Sequence, residues 1–230
     1  MWSKPVLKTI YTLEVDGYAP EVIALTRPSL ERYARKIRAE IVVIRERQFP
    51  AWPVTYEKLQ IYERAQARGS DWNLYVDADA LVHPDLPDVT EMIGKDTVLH
   101  TGVDFASCRW SYDRFFRRDG RHIGSCNWFT LASDWCIELW KPPDDLTYAE
   151  VLAAIHPIVS ETTTIITPEH LVDDYVLSRN IAKYGLKFVT LRDLLGRIGQ
   201  GGNVYLWHEY TIPVAEKVAA LAKTRVEWKL

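Results

Sequence analysis

The chain has 230 residues, 47% of them hydrophobic and 26% charged, which suits a folded protein with a sizeable core and excludes a disordered chain. A formal net charge of -3 leaves no basic excess to neutralise phosphates, so no nucleic-acid partner is expected. Cys108, Cys126 and Cys136 cannot all pair with one another, and reducing, cytoplasmic surroundings are expected rather than a disulfide framework.

Apolar strand patterns alternate with helical ones, the signature of an α/β domain. "VLKTIYTLEV" reads as a first strand. Leu30, Tyr33, Ala34 and Ile37 then recur at helical spacing, with Pro28 expected in that helix's first turn. "IVVIRE" (41–46) is the second strand, and Thr55 the expected N-cap of the helix "YEKLQIYERAQAR", stopped by Gly69. "WNLYVDA" is apolar on both sides, as a central strand should be. "DTVLHTG" and "NWFTLAS" read as strands on either side of a basic, aromatic stretch from Asp104 to His122. "SDWCIELW" reads as a helix ended by Pro142 and Pro143. A further helix runs from near Thr167-Pro168 to Gly185, followed by the strand "LKFVTL". "NVYLWHEY" is a last strand and 212–230 an amphipathic helix. No apolar run is long enough to span a bilayer, and "MWSKPVLKTIYTLEVDGY" lacks the apolar stretch of a signal peptide. One domain over 1–230 is expected.

The chemistry centres on "LYVDADALVHPD", where an apolar strand ends in Asp77 and Asp79. Carboxylates at such a place are costly unless paired or holding a cation. In open parallel sheets ligands bind beyond the carboxyl ends of the strands. Residues two apart on a continuing strand point the same way, so both carboxylates can converge on one Mg²⁺ or Mn²⁺. The plainer alternative is a turn cap and a solvated neighbour. Nine tryptophans and twelve tyrosines supply core packing, and their flat faces also suit sugar rings.

"WNLYVDADALVHPDL" resembles the DXD region of GT-A glycosyltransferases. "TYEKLQIYERA" resembles the helix before that strand in the same family. "GSCNWFTLASDWCIELW" is similar to the family's N-x-G-[VIL]-x-L strand and following helix, but without its glycine, so no donor-sugar role is assigned to Ser125 or Asn127. "LVDDYVLSRNIAKYGLKF" resembles the acidic helix near the acceptor, and "YLWHEY" the late histidine of the metal site. The resemblance implies a GT-A-type, Rossmann-like domain, its mostly parallel central sheet flanked by helices. Residues 1–100 would form the nucleotide-binding half and 101–230 the acceptor half.

It further implies transfer of a sugar from a nucleotide-diphosphate donor, UDP-sugar favoured over GDP-sugar, to a carbohydrate, glycoconjugate or other hydroxyl acceptor. Mn²⁺ or Mg²⁺ would be held by Asp77, Asp79 and His208, and Lys58, Thr12 and Asp77 would serve the donor. Asp173 and Asp174 are the candidate catalytic pair, with Asp174 as the base of an inverting enzyme. In retaining members a corresponding aspartate lies by the donor sugar instead, and acids in a helix's first turn also simply complement its dipole. The stretch from Asp104 to His122 is either a solvated loop or an acceptor platform, with Trp110 or Tyr112 stacking a sugar and Arg117 or Arg118 meeting a phosphate. Two rivals are a metal-dependent nucleotidyltransferase or phosphohydrolase and a non-catalytic sugar-binding protein of the same fold. A dehalogenase-type phosphatase would place Asp-x-Asp on the first strand. A nucleotidyltransferase would want a Gly-rich basic loop where "EVDGYAPEV" stands.

Overall fold

The computed structural model describes residues 5–101, 128–155, 158–159, 165–166, 168–208 and 212–230. Its centre is a six-stranded sheet built from β1 (Lys8–Leu13), β2 (Ala39–Ile44), β3 (Trp72–Val76), β5 (Thr97–His100), β6 (Phe129–Ser133) and β9 (Lys187–Thr190). The order is β2-β1-β3-β6-β5-β9. β1 is parallel to both its neighbours and β5 to β9, while β6 runs antiparallel to β3 and β5. The mixed α/β fold with a mostly parallel sheet is therefore as expected.

Alternation along the strands feeds a core on each face. Tyr11 and Tyr75 pack on one side with Trp140, Val176 and Ile181. Ile10, Leu74 and Val76 pack on the other with Leu30 and Tyr33 of α1 (Pro20–Ile37). All five residues of β3 are buried, as suits a central strand, although Asn73 among them is polar. β1 has β2 on one side and β3 on the other, so the chain changes its direction of growth at β1. A crevice beyond the carboxyl ends of β1 and β3 follows from that topology.

Several boundaries differ from the sequence expectation for local reasons. α1 begins at Pro20, where a proline's missing N–H costs nothing, so Pro28 sits inside the helix instead of its first turn. Carbonyls beside Pro28 find side-chain donors: Ser29 Oγ donates to Thr26 O at 2.7 Å, and Arg225 donates to Leu25 O. Thr55 caps nothing; a 3₁₀ turn over Val54–Gln60 precedes α2 (Ile61–Arg68). "SDWCIELW" forms a kinked 3₁₀ segment, Asp134–Trp140, with Ser133 as its cap. Gly69 and Gly185 do end their helices, each in the left-handed conformation that a glycine adopts freely.

Three short elements complete the picture around the crevice. β4 (Ala80–Val82) follows β3 at once, and β10 (Leu206–His208) pairs with it antiparallel, outside the central sheet. α3 (Tyr148–Ala154) opens with a capping box of Thr147 and Glu150. A two-residue pair, β7 (Ile158–Val159) with β8 (Ile165–Ile166), precedes α4 (Val172–Tyr184), and α5 (Leu191–Gly196) follows β9. α6 (Val214–Glu227) packs on α1 through a small cluster of Val22, Leu81 and Leu221, joined by Val218 and Trp228. Among the described residues, no helix is long and apolar enough to cross a membrane.

Candidate metal centre

β3 stops at Val76, and the chain turns at Asp77, whose carbonyl accepts Ala80 N–H at 3.1 Å. The two aspartates thus converge through a turn, not through the alternation of a continuing strand. Two contacts hold that turn. Asp77 N–H donates to Trp128 O at 2.9 Å, which extends the β3–β6 ladder by one rung, and the Thr26 hydroxyl of α1 donates to Ala78 O.

The β4–β10 register sets His208 opposite Ala80 and so beside the turn. One ligand atom each from Asp77, Asp79 and His208 lies within 4.8 Å of the others. His208 Nε2 is 3.0 Å from Asp79 Oδ1 and 3.5 Å from Asp77 Oδ2. Its imidazole stacks on the indole of Trp128, with ring centroids 4.9 Å apart and planes 16° from parallel.

Asp79 is largely buried, and its second oxygen faces two further groups. Tyr18 OH donates to Oδ2 at 2.8 Å; the ammonium of Lys217 donates to the same oxygen and to Tyr18 OH, the latter at 3.1 Å. Burial pushes the Asp79 carboxyl up, but the hydrogen bonds and charges of His208 and Lys217 outweigh it and hold the group well below the usual carboxylate range. Burial and the neighbouring Asp79 push the Tyr18 phenol far up, so it stays a donor.

Asp77 connects this cluster to a second one. Tyr75 OH donates to Asp77 Oδ1, and Lys58 Nζ lies 3.5 Å from the same oxygen. The buried Lys58 ammonium donates to Asp173 Oδ2 at 2.7 Å and sits 4.8 Å from the centre of the Tyr75 ring. Burial disfavours the charged lysine, yet Asp173, Asp77 and Asp174 more than offset that cost and raise its pKa.

Of the residues singled out in the sequence, Asp77, Asp79 and His208 come together, and Lys58 ties Asp77 to Asp173 on α4. Asp174 follows in the same helical turn, 8% exposed. Thr12 has no surface open to solvent, and its hydroxyl finds no hydrogen-bond partner among the described residues. Trp110, Tyr112, Arg117, Arg118, Ser125 and Asn127 lie outside the described residues. Sequence reasoning missed Tyr18, Tyr75, Trp128 and Lys217. For Lys217 a signal was present: it shares a helical face with Leu221 and Thr224, all buried, and a lysine on the apolar face of a helix needs a partner.

The donor set fits a divalent cation. Two carboxylates supply hard oxygens and an imidazole a borderline nitrogen, a combination that divalent cations accept. No family model and no curated protein sequence matches the chain. Among solved structures, the crystal structure of a glycosyltransferase involved in the glycosylation of the major capsid of PBCV-1 superposes with a TM-score of 0.55 at 12% identity. The match covers 95% of this chain and 100% of that one. The fold is thus shared with a glycosyltransferase.

Proposed function

We propose that the protein is a glycosyltransferase that takes a sugar from a nucleotide-diphosphate donor, preferably a UDP-sugar, and passes it to a hydroxyl of a carbohydrate or glycoconjugate. The observation that carries this reading is the Asp77–Asp79–His208 cluster at the mouth of the β1–β3 crevice, in a fold shared with a glycosyltransferase. Asp77, Asp79 and His208 would hold Mn²⁺ or Mg²⁺. When bound, the cation would neutralise charge building on the diphosphate leaving group, as a Lewis acid.

The chain's own residues support the other requirements. Lys58 keeps Asp77 in place through one oxygen and leaves Oδ2 turned toward His208. Tyr18 and Lys217 hold Asp79 ionised and oriented, so little reorganisation is needed when a ligand arrives. Asp173 pairs with Lys58, and Asp174, in the same turn of α4, is the general base of an inverting reaction in this reading. Such a base must reach the acceptor hydroxyl within hydrogen-bond distance and be ionised when it takes the proton. Residues 1–100 supply the crevice and 101–230 the acceptor side in this reading.

Calorimetric titration with UDP and GDP, each with and without Mn²⁺, tests the donor assignment. UDP is expected to bind only with the cation, and binding of neither nucleotide would overturn it. Turnover of nucleotide sugars should stop in excess EDTA and return with Mn²⁺; full turnover under chelation would overturn the cation's role.

A further inference from the structure

Trp128 is half-buried: it packs against the core cluster of Ile10, Leu74 and Val76, and its indole also stacks on His208 beside the cation ligands. Trp128 is joined to the site twice. Its carbonyl accepts the Asp77 N–H, and its ring covers one face of the His208 imidazole. The two ligands it touches come from distant parts of the chain, one from the turn after β3 and the other from β10. We infer that Trp128 is a positioning residue of the cation site: it fixes the plane of the His208 ring and couples that ring to the backbone of Asp77.

The need for such a residue follows from the weakness of β10. A three-residue strand sets where the Cα of His208 lies, but leaves rotation about the two side-chain torsions. Nε2 points at both carboxylates in only a narrow part of that range. A flat indole at stacking distance selects it, and the stack turns a rotating ligand into a preorganised one. Its π-face also favours the partial positive charge an imidazole takes on when its lone pair is donated. The nearby indole keeps water from one side of the ring, which strengthens interactions between His208 and the carboxylates.

This inference rests on the proposed cation site, and the test separates the two. Mn²⁺ binding is measured by electron paramagnetic resonance on the full chain without donor, for wild type, Trp128→Phe and Trp128→Leu, with thermal melts of each. Trp128→Phe keeps a ring face and should bind close to wild type. Trp128→Leu keeps bulk and the backbone bond but no ring, and should bind about 10- to 100-fold more weakly, the range for outer partners of metal ligands. Its melting temperature without Mn²⁺ should match that of Trp128→Phe. Mn²⁺ should also quench a component of the emission of the nine tryptophans that is missing in Trp128→Phe. Wild-type affinity in Trp128→Leu would overturn the inference alone. Equal losses in both variants would assign Trp128 to packing and overturn it too. No Mn²⁺ binding by wild type would remove the cation site and this inference with it.

Discussion

Lys58→Met removes a buried ammonium while keeping the length of the side chain, and the structure sets the size of the effect. Lys58 is 5% exposed and Asp173 3%, so neither charge has much water to fall back on. At 2.7 Å from Asp173 and 3.5 Å from Asp77, with an effective dielectric of about 20, each contact is worth roughly 5–6 kcal/mol before desolvation is subtracted. Removing one member of a buried pair nets about 3–5 kcal/mol, because the partner's charge stays behind. For a chain of this size that lowers the melting temperature by roughly 6–20 °C.

The assay is urea unfolding followed by circular dichroism, run as a double-mutant cycle with Asp173→Asn. The double variant should be more stable than the two single losses predict, since the buried Asp173 charge no longer faces an empty position, while Asp77 and Asp174 still do. The pH dependence has a definite sign. The folded lysine's pKa is raised, so its contribution is complete below about pH 10 and is lost only as the pH rises through the folded value. A loss below about 1 kcal/mol, the level of an exposed pair, would refute the reasoning, as would strict additivity in the cycle.

Lys217→Met should destabilise the cation-free protein and make Mn²⁺ raise the melting temperature more than it does in wild type, because the ion then takes over as the counter-charge of Asp79. Equal Mn²⁺ stabilisation of both proteins would contradict this. Asp174→Asn should lower kcat by about 10²–10⁴-fold with UDP binding intact, checked by steady-state kinetics and by NMR of the product's anomeric configuration. Near-normal turnover or retention of configuration would remove Asp174 from the base role. Cys136 is buried, its thiol pushed up to about 11 by burial and then by Asp96, Glu138 and Asp134, so peptide mapping should find it unalkylated in the native protein at pH 8 and labelled in denaturant. Labelling in the native state at the denatured rate would show that its pocket opens readily.

The fold was legible where patterns were long. The five buried residues of β3 stand out as a mostly apolar run, and Gly69 and Gly185 stop two helices in the only conformation that favours them. The aspartates at the end of β3 were visible for the same reason, since charge directly after the apolar Leu74-Tyr75-Val76 demands a partner. What lay beyond the sequence was pairing between short or distant pieces. β4 and β10 have three residues each, too few for any periodicity, yet their register brings His208 to the aspartates. Asp173 and Asp174 are adjacent, and which of them meets Lys58 depends on the rotation of α4, a matter of packing against the sheet and not of spacing. Pro28 misled because its usual place in a first turn gave way to a helix started earlier, at Pro20.

The way α6 packs on α1 and reaches Asp79 has a kinetic side. Asp79 and His208 are 129 residues apart and Asp79 and Lys217 are 138 apart, so drawing either pair together in an open chain costs roughly 4 kcal/mol of loop-closure entropy. One hydrogen bond cannot offset that. The Asp79–His208 contact therefore forms with the β4–β10 pairing and the Asp79–Lys217 contact with the docking of α6 on α1, where Leu221, Val218 and Trp228 bury their apolar surface. In the proposed reading, tight cation binding would thus need both β10 paired with β4 and α6 docked on α1, and its appearance during refolding would time their assembly.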